Sequence, residues 1–128
     1  MLPESKMTFR ELTDWYLSLK MVKKLKSYPR YEQALNNFNA TFGDMIVGNI
    51  KPVFLEIFQE DRETQGLADA TIDMELTISK TMIIKAFDND MIDGRVLKAF
   101  RSIKRKLKKG SNAQKGSSAL AILHYHRI

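Results

Sequence analysis

The sequence predicts an all-α protein, a single bundle of four to five helices, on three observations. Apolar residues recur at helical spacing in five successive segments. Proline stands where two of these segments begin, at Pro29 and Pro52, a position that suits the first turn of a helix. Glycines follow two segments, Gly43 and Gly66, where a helix would end. A chain of 128 residues fits one domain that can bury a core.

The predicted helices follow one another with short connections. Thr8 and Glu11 have the spacing of a capping box and open the first helix, in which Trp15 is expected as a buried anchor. The predicted ranges are 8–20, 29–43, 52–65, 71–88 and 95–109. The expected buried stripes include Phe9, Leu12, Tyr16 and Leu19 in the first helix, Tyr31, Leu35, Phe38 and Phe42 in the second, Val53, Ile57 and Phe58 in the third, Ile72, Leu76, Ile83 and Phe87 in the fourth, and Val96, Leu97, Phe100, Ile103 and Leu107 in the last.

Charge is segregated along the chain. Residues 1–43 carry a net +3, residues 44–95 a net −6 and residues 96–128 a net +9, which together give the overall +6. Two basic segments therefore flank an acidic middle, and a polyanion is the natural partner of such a distribution. The acids of the third helix are expected on a solvated face that lies away from any phosphate.

Several classes of protein are not favoured. The chain has no cysteine, so it has no disulfide or thiolate chemistry, which is compatible with an intracellular protein. No apolar run is long enough to span a membrane, and the first residues lack the pattern of a signal peptide. We therefore expect a cytoplasmic protein. Residues 1–7 are expected to be a disordered lead, and residues 110–128 a linker or a non-native tail.

A series of short motifs resembles a known family. The motifs, in chain order, are Phe42-Gly43, Ile50-Lys51-Pro52, Arg62, Gln65-Gly66-Leu67 and Ala70-Thr71-Ile72. Their order and spacing resemble the N-terminal SAM-like core-binding domain of the phage integrases, the tyrosine recombinases. The resemblance covers residues 8–109 and implies a domain that clamps duplex DNA opposite a separate catalytic domain.

Two groups of candidate DNA contacts precede or lie in the predicted second and fourth helices. Lys23, Lys24 and Lys26, followed by Arg30, enter the second helix, where ammonium groups and unpaired helix N–H groups would favour a phosphate. A solvated loop explains this composition equally well, and only the resemblance favours DNA. In the fourth helix the resemblance implies contacts from Thr71 and Lys80. The family's usual asparagine and arginine are here Asp73 and Met74, which puts base readout by this helix in doubt.

The third candidate group lies on the predicted last helix. Arg101, Arg105 and Lys108 recur with Lys98 at helical spacing and would form one basic face next to the apolar stripe. Phosphate contact is the first interpretation of this face, a solvated surface the second and a membrane surface the last. Neither the aspartates of residues 88–93 nor His124 and His126 have the spacing of a metal site, so no metal and no cofactor is expected.

The sequence thus predicts a DNA-binding fragment of a recombinase that is monomeric when isolated. Its partners would be double-stranded DNA and the catalytic domain of the parent protein. The fragment is not expected to be an enzyme, because its tyrosines show no converging base or arginine cluster. Two alternatives stay open: a helical protein-interaction module, and a standalone DNA-binding regulator, for which a stable dimer and a palindromic site would be expected.

Overall fold

The computed structural model describes residues 6–107 and shows an all-α bundle. Six helices follow in the order α1 (Phe9–Ser18), α2 (Lys20–Lys23), α3 (Tyr28–Phe42), α4 (Pro52–Thr64), α5 (Asp69–Asp88) and α6 (Gly94–Arg101), with a 3₁₀ turn at Val47–Asn49. Within that range the chain forms no strand, only an isolated antiparallel bridge between Thr8 and Ile46. The predicted fold class is confirmed.

The helix starts follow the local sequence signals. Thr8 accepts a hydrogen bond from the N–H of Glu11, and the Glu11 carboxylate accepts from the N–H of Thr8, so the predicted capping box is present. Pro52 is the first residue of α4 and Pro29 the second of α3. At the start of α6, Asp93 accepts from the N–H of Arg95. The hydrogen bonds from Arg95 also hold the pKa of Asp93 below its usual value.

The two predicted glycine stops work in different ways. Gly66 has φ of 89°, the left-handed conformation that ends a helix and that side chains disfavour. Gly43 instead stays right-handed, with φ of −53°. A Cβ atom there would lie 2.6 Å from the carbonyl oxygen of Asn39 and against the guanidinium of Arg10. Glycine at position 43 is therefore required by close packing.

Phe38 of α3 lies at the centre of the core. Its ring centroid is 4.3 Å from that of Phe58, 5.3 Å from that of Phe9 and 6.0 Å from that of Phe100. These rings belong to α4, α1 and α6 respectively, so one side chain joins four helices. α3 also packs along α5, and α5 along α6. Apolar burial, worth about 25 cal/mol per Å², is the main force that holds these helices together.

Besides the last helix, which ends at Arg101 and not at residue 109, four details differ from the prediction. The first helix ends at Ser18, and the lysine-rich segment starts with the short helix α2. Val53 and Ile57 are 52% and 44% exposed, because α4 turns Leu55, Phe58 and Gln59 inward. Trp15 and Leu19 are half-buried and Phe87 is 40% exposed, whereas a buried position was predicted for each. Met7, expected in a disordered lead, accepts a hydrogen bond from the N–H of Val47.

Gly66→Ala should lower the free energy of unfolding by about 1–2 kcal/mol, because an L side chain is disfavoured at positive φ. Chemical denaturation measures the change. Gly48→Ala is the matched control, since its Cβ would meet only the tip of Arg95, at 3.4 Å, and its φ is negative. Equal destabilisation by the two substitutions would contradict the assignment.

The burial of Tyr16 predicts that the folded chain loses stability at alkaline pH. Burial, together with the neighbouring Tyr31 hydroxyl, raises the pKa of Tyr16 to about 12 in the folded chain. A raised pKa means that the stability linked to the neutral phenol is present below pH 10 and is lost as the pH rises towards 12. The free energy of unfolding measured across this range should fall, and it should fall less in Tyr16→Phe. The same decline in both proteins would refute the assignment to Tyr16.

Candidate nucleic-acid interface

A buried carboxylate joins the three helices on one side of the bundle. Glu75 of α5 is 2% exposed and receives two hydrogen bonds from Arg62 of α4, from Nε at 2.9 Å and from Nη2 at 2.6 Å. Asn37 of α3 donates a third, at 2.8 Å. Arg62 also donates to Gln65 at 2.7 Å, in the turn that ends α4. Arg62, the arginine of the integrase-like motif, therefore has a structural role here.

An open groove lies above this ion pair, between the start of α3 and the start of α5. Arg30, Gln33 and Asn37 line it from α3, and Thr71 and Met74 line it from α5. Two of the predicted contacts, Arg30 and Thr71, are thus brought to one concave surface with Arg62 and Glu75. We call this surface the α3–α5 groove. Its lining is mixed: Pro29, Ala34, Leu67 and Met74 are apolar, and Arg30, Gln33 and Asn37 add polar groups.

A second buried carboxylate, Asp73 of α5, has a different role. Asp73 is 3% exposed, and its two oxygens accept the backbone N–H groups of Lys106 at 2.8 Å and Leu107 at 3.0 Å. The Arg105 guanidinium lies 3.9 Å from the same carboxylate. Asp73 was a doubtful base-reading residue in the sequence, and the structure shows instead that it holds the end of the described chain.

Residues 102–107, which we call the strap, cross α4 and α5 in a non-helical conformation. Besides the bonds to Asp73, Gln59 of α4 donates to the carbonyl oxygen of Lys104 at 2.9 Å. Lys106 pairs with Glu63 at 3.3 Å. One acid of the exposed α4 face thus lies next to a cation of the strap, so opposite charges are in contact there.

The strap completes a second groove with α5 and α6. Lys80 of α5 and Lys104 and Arg105 of the strap bring three cations to its lining. Its apolar part includes Leu76, Phe100 and Ile103, and Thr77 adds a hydroxyl. We call this surface the strap groove; its volume is about 220 Å³. It is the place where the structure gathers positive charge from segments far apart in sequence.

Thr71 and Lys80, the two contacts that the resemblance implies for the fourth helix, lie on different faces of α5. The two positions differ by nine, which corresponds to about 180° of rotation in an α-helix. Thr71 accordingly lines the α3–α5 groove and Lys80 the strap groove. The two buried acids Asp73 and Glu75 are likewise about 200° apart around the helix axis. They therefore project from opposite sides of α5 and bind different segments.

The lysine corner before α3 is exposed but offers no helix N–H groups to an anion. Lys23, Lys24 and Lys26 all have exposed side chains. The N–H of Tyr28 donates to the carbonyl of Leu25, and the N–H of Arg30 donates to that of Ser27. Pro29 has no N–H to give. The predicted contribution of the helix terminus is therefore wrong, and only side-chain charge remains at this corner.

The basic face predicted for the last helix is divided. α6 ends at Arg101, whose side chain is exposed, and Arg105 lies in the strap, on no helical face with Arg101. Lys108 lies outside the described residues, as do His124 and His126. Lys104, which the sequence prediction did not select, lines the strap groove. The position of Lys104 depends on the end of α6 at Arg101. The apolar periodicity of the sequence, which continues to Leu107, gave no signal that the helix ends there.

Two absences apply to the part of the chain that the structure describes. Residues 6–107 contain no group of three or more histidine, cysteine, aspartate or glutamate side chains placed to hold a metal ion. None of the helices in that range combines the length and apolarity that a membrane crossing needs.

Comparison with protein-family models, with curated proteins and with solved structures gives no match. The likeness to integrase core-binding domains therefore depends on the motifs of this chain alone.

Arg62→Met should destabilise the bundle by about 3–5 kcal/mol, since it leaves the Glu75 carboxylate buried without its cation. The double variant Arg62→Met with Glu75→Leu should recover most of this loss, because no uncompensated charge remains. Urea denaturation of the two single variants and the double variant measures the coupling. Additive losses in the double variant would show that the pair does not act as a unit.

Proposed function

We propose that this chain is a DNA-binding domain, the core-binding domain of a phage-type integrase. In this role it would clamp duplex DNA and place the recombination site for a separate catalytic domain of the parent recombinase. The observation that carries the proposal is the strap groove, where Lys80, Lys104 and Arg105 meet on one surface. The order of the integrase-like motifs is a second, independent support.

Phosphate contact is the chemistry that this surface suits best. Exposed lysine and arginine side chains neutralise phosphates and release counterions, which makes binding strongly dependent on salt. Arg101 at the end of α6 and the exposed Lys23, Lys24 and Lys26 add charge at other points of the bundle. Such contacts position a duplex without reading its sequence. Residues 108–128 carry four more basic side chains and no acid.

Base reading would fall to the α3–α5 groove. Gln33 and Asn37 have amide groups of the kind that pair with adenine, and Arg30 has the guanidinium that pairs with guanine. The amide of Asn37 donates to Glu75, so Gln33 is the better amide candidate on this groove, and Arg30 and Thr71 line it as well. We therefore expect weak sequence preference from the isolated domain.

The proposal assigns no catalytic step to this chain. Tyr16 and Tyr31 are 4% and 2% exposed. Burial raises the pKa of both hydroxyls, which is the opposite of what activates a nucleophile. Tyr28 is half-buried, and Tyr125 lies outside the described residues.

Fluorescence anisotropy of a labelled random-sequence duplex, repeated at several salt concentrations, tests the proposal. We expect a Kd of about 10⁻⁴–10⁻⁶ M near physiological salt, and a linear fall of log affinity with log salt. Absence of binding even at low salt would refute DNA as the partner of the isolated domain.

A charge-matched pair of variants tests which surface binds. Lys80→Ala with Lys104→Ala should weaken binding to all duplexes alike and reduce the salt slope by about 1.8, if each lysine neutralises one phosphate. Lys6→Ala with Lys51→Ala is the control, because it removes the same charge from exposed positions outside both grooves. Equal effects of the two pairs would show that net charge alone, and not the strap groove, determines binding.

A second candidate is a helical protein-interaction module. Val53 and Ile57 are exposed one turn apart on α4, and the neighbouring Glu56 and Glu60 are exposed as well. An apolar pair with acidic neighbours suits a basic amphipathic partner. A salt-insensitive complex with a protein, together with absent DNA binding, would favour this function.

A further inference from the structure

The strap is held through its main chain. Asp73 receives the N–H groups of Lys106 and Leu107, and Gln59 donates to the carbonyl of Lys104. Two further contacts use side chains of the strap. Lys106 pairs with Glu63 at 3.3 Å, and Arg105 lies 3.9 Å from Asp73. The three main-chain hydrogen bonds fix the path of the strap and themselves use none of its cationic groups.

The strap groove exists only while the strap is in this position. Ile103, Lys104 and Arg105 contribute three of its lining residues, and each belongs to the strap. Lys104 and Arg105 are exposed, so their charges are displayed next to Lys80. If the strap left α5, Lys80 would remain on the bundle and the other two cations would move with a flexible segment.

Asp73 is the strongest anchor of the strap. Its carboxylate is buried, accepts two hydrogen bonds from consecutive N–H groups and lies at the base of the groove that Lys80 lines. Hydrogen bonds to a charged group are about twice as strong as those between neutral groups. A buried carboxylate has lost its hydration, and hydrogen bonds from the protein must compensate for that loss. Release of the strap would leave the Asp73 carboxylate without these two bonds.

We propose that Asp73 is a positioning residue for phosphate binding, an acid that strengthens the affinity for DNA by holding Lys104 and Arg105 beside Lys80. This inference rests on the proposed function. Pre-ordered cations bind more tightly because less side-chain and segment entropy is lost on association. An acid that aids binding to a polyanion is contrary to simple electrostatics, which makes the inference testable by sign.

The decisive variant is Asp73→Asn. It removes one negative charge, so electrostatics alone predicts tighter binding to duplex DNA. The positioning role predicts the opposite, a loss of affinity on the order of three- to tenfold, because an amide has only one oxygen to accept the two N–H groups. Glu60→Gln is the matched control: it removes the same charge from an exposed position on α4 and should leave affinity unchanged or slightly raised.

A second variant removes an anchor without a change of charge. Gln59→Met deletes the hydrogen bond to the Lys104 carbonyl and retains the bulk of the side chain. It should also weaken DNA binding, by less than Asp73→Asn does, and it keeps the proposal testable if Asp73→Asn fails to fold. Thermal melting identifies that failure.

Anisotropy titrations of the full chain with a random-sequence duplex, combined with hydrogen exchange of single amides, form the experiment. In Asp73→Asn we expect faster exchange of the Lys106 and Leu107 N–H groups, retained protection within α5 and weaker DNA binding. Unchanged or tighter binding by both anchor variants, with the wild type binding normally, would overturn the positioning role alone. Failure of the wild type to bind any duplex would overturn the proposed function and this inference together, and the exchange data would still show whether Asp73 holds the strap.

Discussion

The relative placement of the helices depends on the buried carboxylate of Glu75. Apolar packing around Phe38 draws the helices together but is not directional, and it tolerates several rotations of a helix about its axis. The Glu75 carboxylate instead accepts bonds at 2.6–2.9 Å from Arg62 and Asn37, on two other helices. A buried charge that loses such partners is strongly unfavourable, so only one rotation of α5 is acceptable.

The same helix carries a second buried acid on its opposite side, with a second task. Glu75 connects α5 with α3 and α4, whereas Asp73 connects α5 with the strap. These two acids lie two residues apart, so a single turn of α5 fixes both the arrangement of α3, α4 and α5 and the path of the strap. The acidic middle of the sequence is therefore in part structural: two of its eleven acids are buried and hold other segments in place.

Local signals predicted the helices well, and tertiary contacts explain where they failed. The capping box at Thr8, the proline starts and the Gly66 stop depend on neighbouring residues alone, so the sequence contains them in full. The last helix was predicted to be too long because the apolar period continues to Leu107. The N–H groups of Lys106 and Leu107, which a continued helix would have used, instead donate to Asp73. Asp73 precedes Lys106 by 33 residues, so local periodicity contains no signal for this contact.

The candidate site was predicted only in part for the same reason. Exposed cations such as Lys23 and Arg101 were correctly placed at the surface by composition. Which of them lie together could not be predicted, because a groove depends on the packing of distant segments: Lys80 and Lys104 are 24 residues apart and line one surface. A signal for the buried acids was present, however, since Asp73 and Glu75 interrupt the apolar positions of α5 at a spacing that places one on each side.

Several side chains in the first turns of α5 are already engaged within the bundle, which limits how α5 could recognise a DNA sequence. In its first two turns Ile72 and Leu76 are in the core, and Asp73 and Glu75 are bound to other segments. The other α5 side chains that line the grooves are Thr71, Met74, Thr77 and Lys80. None of these four has the forked donors that distinguish one base from another. If the domain grips DNA as proposed, its discrimination must come from α3, from DNA shape or from the rest of the parent protein. The bundle itself would supply grip and orientation, for which a held strap of cations is well suited.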